Sequence, residues 1–515
     1  MVDMIMSFLE LLCPRNTRVN RVKDTKSVRT INVLKALVIL RLPGWANTVW
    51  RRRIRLRTSA KYRPRNPTVK LKHLWYNAIV GRHLSCPLRS TDLSFADWSE
   101  GKTIAMTPLI SGPIGTLAVL AGICSIFFLL EKQTGWRLFN FFPPLLFIYL
   151  VPLLFSNTGV ISNESPVYDW MGDVILPMFL TIMLLDVNVR AAFRVMGKGV
   201  FVMLIGTFGV IVGAPIGYMF VKSGLDPDAW QGFGSLAGSW IGGTGNMAAV
   251  TEGLGTSGKN FGLAVLADNF VYMVWLPIML NSKIFAGWFS RFTGVSDDQV
   301  ERMKQAASEL SVDKGTPEMR HILYLVFFGL AVAFIGTELA KLLASADLPG
   351  SFASIFPAGL QDNVLSAISP MMTRGTYRIL IITTLALSLS FTRARRIPGS
   401  HPLAMALVYL FVANMGGRSS VTGLAEQAPW FLAGAFIWIF IHGGFCMLGA
   451  KLFRVDVHTV AIASAANIGG AASAPVVAAY HNEALVPVSI LMALIGYAIG
   501  NYGAFAAAWL CYLVS

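Results

Sequence analysis

Two short glycine-rich stretches constrain this chain more than any other feature. Ala237–Val250 reads AGSWIGGTGNMAAV and Ser464–Val477 reads SAANIGGAASAPVV. Each is a run of small residues with Ser or Asn beside Ile-Gly-Gly, and each lies between long apolar segments. Paired glycines make a poor helix interior, since each costs about 1 kcal/mol relative to alanine. Inside a bilayer, backbone that leaves the helical ladder survives only where protein buries it or a wet cavity meets it. Both stretches are therefore expected to be broken or re-entrant helices that meet near mid-membrane and offer freed amides and carbonyls to a solute.

The membrane setting follows from composition. The chain is 54% hydrophobic and 14% charged, against about 25% charged in soluble domains. The net charge of +16 is concentrated at one end: residues 1–100 hold 20 Lys+Arg and 6 Asp+Glu, a net of +14. They include Trp50-Arg51-Arg52-Arg53-Ile54-Arg55-Leu56-Arg57, and their one weakly apolar stretch, 31–42, is too short to span. Residues 1–105 are thus read as a basic extension, disordered, removed or spurious. A transit peptide and a cytosolic arm for anionic lipid or nucleic acid are the competing readings. Five cysteines lie far apart with no C-x-x-C pair, so neither a zinc site nor a disulfide framework is signalled.

From Thr107 onward the pattern changes. Apolar runs of helical length occur at about 107–130, 140–156, 172–187, 199–221 and 260–281, and again at about 321–343, 376–391, 402–416, 428–448 and 486–513. A polar linker, 282–320, separates the two series. The glycine stretches fall between the fourth and fifth run of each. Setting Ile241 on Ile468 fixes an offset of 227 residues, which also lays 201–220 on 428–447 and 174–187 on 401–414. The expected fold is an all-α polytopic membrane protein. It has two inverted repeats, 106–281 and 321–515, each with five transmembrane helices plus one re-entrant or broken helix. An odd number of crossings per unit inverts the second copy, a recurring plan of secondary transporters. Lys132, Arg137, Arg190, Arg194, Lys198, the linker cations, Arg393, Arg395, Arg396, Lys451 and Arg454 gather on one face, called A. Face B carries little beyond Lys222, Lys259, Arg374 and Arg418. The positive-inside rule makes face A cytoplasmic.

A half-helix of eight residues is about 12 Å long, close to half the hydrocarbon thickness. Candidate solute-binding residues are therefore Ser239, Gly242, Gly243, Thr244, Gly245 and Asn246 from the first stretch, and Asn467, Gly469, Gly470 and Ser473 from the second. The competing reading is close helix packing on small residues; two stretches in corresponding positions favour the site. Asp268, beside Asn269 in the run 261–280, is the ion-coupling candidate, because an ionisable group at membrane depth is costly. Asn501, Tyr497 and Tyr502 are further candidates for the cavity wall. Asp186, Asn188 and Arg418 are read as interfacial, and Trp170, Trp230 and Trp275 as belt anchors. Gly243-Thr244-Gly245-Asn246-Met247-Ala248 matches G-x-G-x-x-A, but an apolar helix precedes it where a dinucleotide site needs a strand. No catalytic signature is present, and the chain is not read as an enzyme.

GSWIGGTGNMAAV, SPVYDW at Ser165–Trp170, and ANIGGAASAPVVAA followed by LVPVSILMALIGYAIGNY resemble the YjcL-like membrane proteins, a family named for a domain of unknown function (819). The resemblance runs from about Pro108 to the C-terminus. More remotely, the five-plus-re-entrant plan is similar to sodium/glutamate and citrate symporters. That likeness implies that Gly242, Gly243, Gly469 and Gly470 shape the loops, and it does not carry over a substrate.

The expectation is a secondary transporter in the bacterial inner (plasma) membrane, coupled to Na⁺ or H⁺ and moving a small organic anion. An organellar membrane applies if residues 1–100 are a transit peptide. The alternative is a membrane-embedded binding or sensory protein without transport. No cofactor is expected beyond Na⁺ or H⁺ as the coupling ion. The expected partners are a small-molecule solute and the lipid bilayer, with no nucleic acid and a homodimer left open.

Overall fold

Each of the ten apolar runs is helical over most of its described residues in the computed structural model, which describes residues 108–135, 139, 143–188, 197–295 and 315–515. The basic extension at 1–105 lies outside them. The described residues fall in one compact unit, Thr103–Ser515. In chain order the helices are α1 (Pro113–Thr134), α2 (Pro144–Asn157), α3 (Pro166–Leu185, with a π turn at Met171–Ile175), α4 (Lys198–Val221), α5 (Ala229–Leu254), α6 (Gly258–Asn281) and α7 (Ala286–Thr293). There follow α8 (Met319–Ala344), α9 (Leu348–Ala353), α10 (Ala358–Ile368), α11 (Arg374–Ser390), α12 (Ser400–Gly417), α13 (Leu424–Phe453), α14 (Val457–Ile468), α15 (Gly470–His481) and α16 (Val486–Leu513). Proline in the first turn of α1, α2, α3 and α16 supplies a preset φ where no amide partner is needed.

Among the described residues, seven helices are long and apolar enough to cross a membrane: α1, α3, α4, α6 continued through α7, α8, α13 and α16. The expected crossings at α2, α11 and α12 fall short of that standard. α2 has only 14 residues, α11 has 17, and α12 opens on Ser400-His401 and carries Asn414. Of the expected polar linker, 282–320, residues 296–314 lie outside the described residues, and its start needs correcting. Residues 282–293 form a 3₁₀ turn and α7, with Phe289 buried and the Lys451 ammonium donating to the Phe292 carbonyl. The short helices α9 and α10 carry no long apolar run and were not expected. Among the described residues the sole β pairing is an isolated bridge, Ile110 to Ile161.

Two groups of helices result. α4, α5, α6, α13, α14, α15 and α16 pack as a cage, and α1, α2, α3, α8, α11 and α12 lie against it. Within the cage α5 packs most extensively on α16, and α4 on α13, which run antiparallel. Along their seam Gly206 meets Cys446, Gly209 meets Phe445, Gly213 meets Trp438 and Gly217 meets the Gly434 carbonyl. Small residues at these points let two backbones close where lipid provides no hydrophobic drive. The Trp438 indole N–H donates to the Val210 carbonyl at 2.8 Å. At the 227-residue offset, α4 corresponds to α13, α5 to α14–α15, and α6 to α16.

Candidate functional site

The two Ile-Gly-Gly stretches both break their helices, and in both the chain doubles back. In α5, Gly243 adopts φ 74°, ψ −176°, a combination essentially confined to glycine. Beyond it, a Cβ on Gly238 would stand 2.9 Å from Met247 Cα, residues that a continuous helix would hold about 13 Å apart. Ser235 Oγ lies 3.2 Å from Thr256 Oγ1, closing the mouth of this first hairpin. The second hairpin is α14 and α15, joined at Gly469, with Gly470 at φ 57°. Its mouth is closed by His458 Nδ1 and His481 Nδ1 at 2.7 Å.

α6 shows how the hairpins face each other. Near its start, Asn260 Nδ2 donates to the Asp228 carbonyl at the first mouth. Near its end, the Met279 carbonyl accepts from His481 Nε2 at the second mouth, 2.9 Å away. The mouths therefore lie at opposite ends of a helix about 36 Å long. Between them the tips touch: a Cβ on Gly470 would sit 3.5 Å from both Gly243 Cα and Tyr497 Cε1. Each tip presents one half-helix C-terminus and one N-terminus, so unpaired carbonyls and amides converge there.

A cavity of about 120 Å³ opens beside the tips, room for several waters or one small solute. Ser239, Gly243, Thr244 and Gly245 line it from the first hairpin, and Gly469, Gly470 and Ser473 from the second. Asp268, Asn269 and Tyr272 come from the middle of α6, and Tyr497 from the middle of α16. Asp268 is the one ionisable carboxyl on the wall, and among the described residues no Lys, Arg or His lines the cavity. Its two oxygens accept hydrogen bonds from Ser239 Oγ and Trp240 Nε1, each at 2.9 Å. The Asn269 amide nitrogen donates to the Val265 carbonyl within its own helix.

Gly242, Asn246 and Asn467 do not line the cavity. Asn246 is fully buried behind the first tip, where its Nδ2 donates to the Tyr497 carbonyl at 3.1 Å. Gly242 packs on that side chain, since a Cβ there would meet Asn246 Cγ at 2.6 Å. Asn467 braces the second tip against α4, donating to the Met203 carbonyl and accepting from Thr207 Oγ1. The asparagines thus brace the broken backbone, one per hairpin.

Of the other sequence candidates, Tyr497 reaches the cavity, while Asn501 and Tyr502 turn to Thr383 and Thr384 of α11. Trp275 is buried instead of standing in a belt. Its indole N–H donates to Ser464 Oγ at 3.0 Å, and His442 Nε2 lies 3.0 Å from the same hydroxyl. His442 Nδ1 donates to the Gly206 carbonyl, so the neutral imidazole satisfies every partner. This network ties the second hairpin to α4, α6 and α13. His442→Ala is expected to destabilise the fold by about 1–3 kcal/mol by stranding buried polar groups. Thermal unfolding in detergent checks this, and an unchanged midpoint would show the network to be dispensable.

Trp240, Tyr272, Met183, Met405 and Tyr409 are cavity or carboxylate neighbours that sequence reasoning missed. Only the spacing of Tyr272, four residues after Asp268 on one helix face, could have signalled any of them.

A family model described as protein of unknown function (DUF819) matches residues 118–513. Among curated proteins, the uncharacterized membrane protein YjcL of Bacillus subtilis (strain 168) is 29% identical over 364 residues, or 69% of this chain and 87% of that protein. The family match takes in both hairpins, all of the surrounding cage and the full run of α2 to α12, and on that extent the chain belongs to the DUF819 family of membrane proteins.

Proposed function

We propose that this membrane protein is a secondary transporter that couples Na⁺ or H⁺ to a small organic anion. The observation that carries the reading is the meeting of two glycine-broken hairpins, tip to tip, over a cavity whose only charged side chain among the described residues is Asp268. On this reading the halves are inverted repeats, each with one re-entrant hairpin, in an inner (plasma) membrane with face A cytoplasmic. The antiparallel course of the corresponding helices α4 and α13 supports the inversion.

The charge inventory supplies a coupling logic. Two half-helix N-termini, at Thr244 and Gly470, offer amides and partial positive charge to an anion. An ionised Asp268 opposes it: at an effective dielectric of about 20, like charges 4 Å apart repel by about 4 kcal/mol, nearly a thousandfold in Kd. A cation on Asp268 removes that penalty, so the anion binds well only after the cation. A second reading is favoured by the absence of any cationic side chain on the wall. An amine would bind Asp268 directly, with the rings of Tyr272, Tyr409 and Tyr497 adding cation–π attraction.

A thermal-shift screen of small carboxylates and amines, with and without Na⁺ and at two pH values, separates these readings. The expected result is stabilisation by a carboxylate only when Na⁺ or acid is present. Stabilisation by amines alone selects the second reading. Counterflow in proteoliposomes then tests transport itself, because a pure receptor binds saturably and accumulates nothing.

A further inference from the structure

The cavity has a direction. Its lining from the outer helices consists of Pro143 and Leu145 at the start of α2, Met183 near the end of α3, and Met405 and Tyr409 in the first half of α12. Those segments share one end of the molecule, where Ser400 donates to the Asp186 carboxylate and Arg395 to Asn188 Oδ1. That end is face A, the side of the second hairpin's mouth. The second hairpin packs on α4, α5, α6, α13 and α16 and, among the described residues, forms no comparable packing with α2, α3, α11 or α12. The first hairpin, by contrast, packs on α3, α11 and α12.

Its return arm is clamped at face B. A Cβ on Gly375 would meet the Gly253 carbonyl at 2.6 Å, and one on Gly253 would meet Ile379 at 3.2 Å. Arg418, in the C-terminal cap of α12, pairs with Glu252 of the same arm, Nη2 to Oε2 2.6 Å. Both side chains are about three-quarters shielded, at 26% and 23% exposure. Glu252 is also packed against Gly172 of α3, where a Cβ would stand 3.0 Å from its Oε1.

We propose that this structure is the face-A-open, face-B-sealed member of a two-state pair, and that the Glu252–Arg418 ion pair is the latch of the sealed side. The pair crosses from the cage to the outer helices and is the ion pair among the described residues that ties the first hairpin to them. Breaking it releases the return arm, and the population shifts toward a form open at face B. The purpose of the latch rests on the transporter reading, whereas its test reads sidedness without any transport.

The test uses the full chain with its native cysteines replaced, in sealed vesicles of both orientations, probed with a small membrane-impermeant methanethiosulfonate. Ser473→Cys reports the cavity, and Thr376→Cys, buried beneath the seal, reports face B. Ser473→Cys is expected to react from face A only, and Thr376→Cys to be protected from face B. Glu252→Gln or Arg418→Gln should raise Thr376→Cys labelling from face B by severalfold to about tenfold, as expected for losing a partly shielded pair. The charge-swapped Glu252→Arg/Arg418→Glu chain should restore protection. Ser473→Cys reacting from face B, or Thr376→Cys labelling indifferent to both glutamine variants, overturns the proposal. Failure to accumulate any solute with this labelling pattern intact would instead sink the transporter reading alone.

Discussion

Asp268→Asn is expected to leave the protein folded, to abolish cation-driven accumulation and to preserve cation-independent exchange. The fold should survive because asparagine keeps both contacts. Its oxygen accepts from Trp240 Nε1 as Oδ1 does now, and its amide donates to Ser239 Oγ, which turns from donor to acceptor. What disappears is the charge. An attraction of about 4 kcal/mol for a cation 4 Å away, at an effective dielectric of about 20, vanishes. Cation affinity then falls by about a thousandfold. The repulsion that kept the anion out of the empty site vanishes with it. Counterflow of the anion should therefore continue with no dependence on Na⁺ or pH, while uphill uptake stops. Proteoliposomes loaded with solute measure both. If the substrate is an amine, the same variant loses binding and exchange together. Undiminished uphill uptake by Asp268→Asn would remove this residue from the coupling machinery.

The fold was largely legible because its strongest signals are local. Long apolar runs with proline at their starts announce helices, and Gly-Gly within a small-residue stretch announces a break. The offset that pairs Ile241 with Ile468 also pairs the hairpins, since both stretches need the same backbone freedom at their glycines. The direction of each side chain at the tip was not legible. Asn246 and Asn467 have the residue type of a ligand-binding amide, yet both are spent on carbonyls of neighbouring helices, Tyr497 and Met203. Each buried amide ties its tip to an unbroken neighbouring helix, because a buried polar side chain must find a partner wherever one is offered. Trp240 was hidden for a related reason: an indole beside Ile-Gly-Gly reads as packing until the carboxylate it binds, 28 residues later, is placed beside it. The shortness of α2, α11 and α12 was visible as run length, but which helices lean on the cage and which face lipid depends on tertiary contacts.

Gly243→Val is expected to eliminate uptake, whereas Gly470→Ala retains a fraction of it, and the difference follows from backbone geometry. At φ 74°, ψ −176° any Cβ is strained by about 1–3 kcal/mol. The Cβ would also press on Tyr497 Cε1 at 3.3 Å, so the ring must give way to a branched side chain. Gly470, at φ 57°, carries the smaller left-handed penalty of about 1–2 kcal/mol. Its Cβ would stand at ordinary contact distance, 3.5 Å, from Gly243 Cα and Tyr497. Steric and conformational contributions separate in a double variant. Tyr497→Ala should do little for Gly470→Ala, whose Cβ meets Tyr497 only at ordinary contact distance. In Gly243→Val it should relieve the crowding and restore a part of the uptake, while the backbone strain it does not touch keeps the rest from returning. Gly122→Ala in α1, where a Cβ meets nothing within 4 Å, controls for substitution as such and should transport normally. Uptake is normalised to the monodisperse protein recovered from the membrane, so a variant that misfolds is not counted as one that fails to transport. Full uptake with valine at both tips would mean that the hairpins need not meet closely, and the cavity between them would lose its claim to be the solute site.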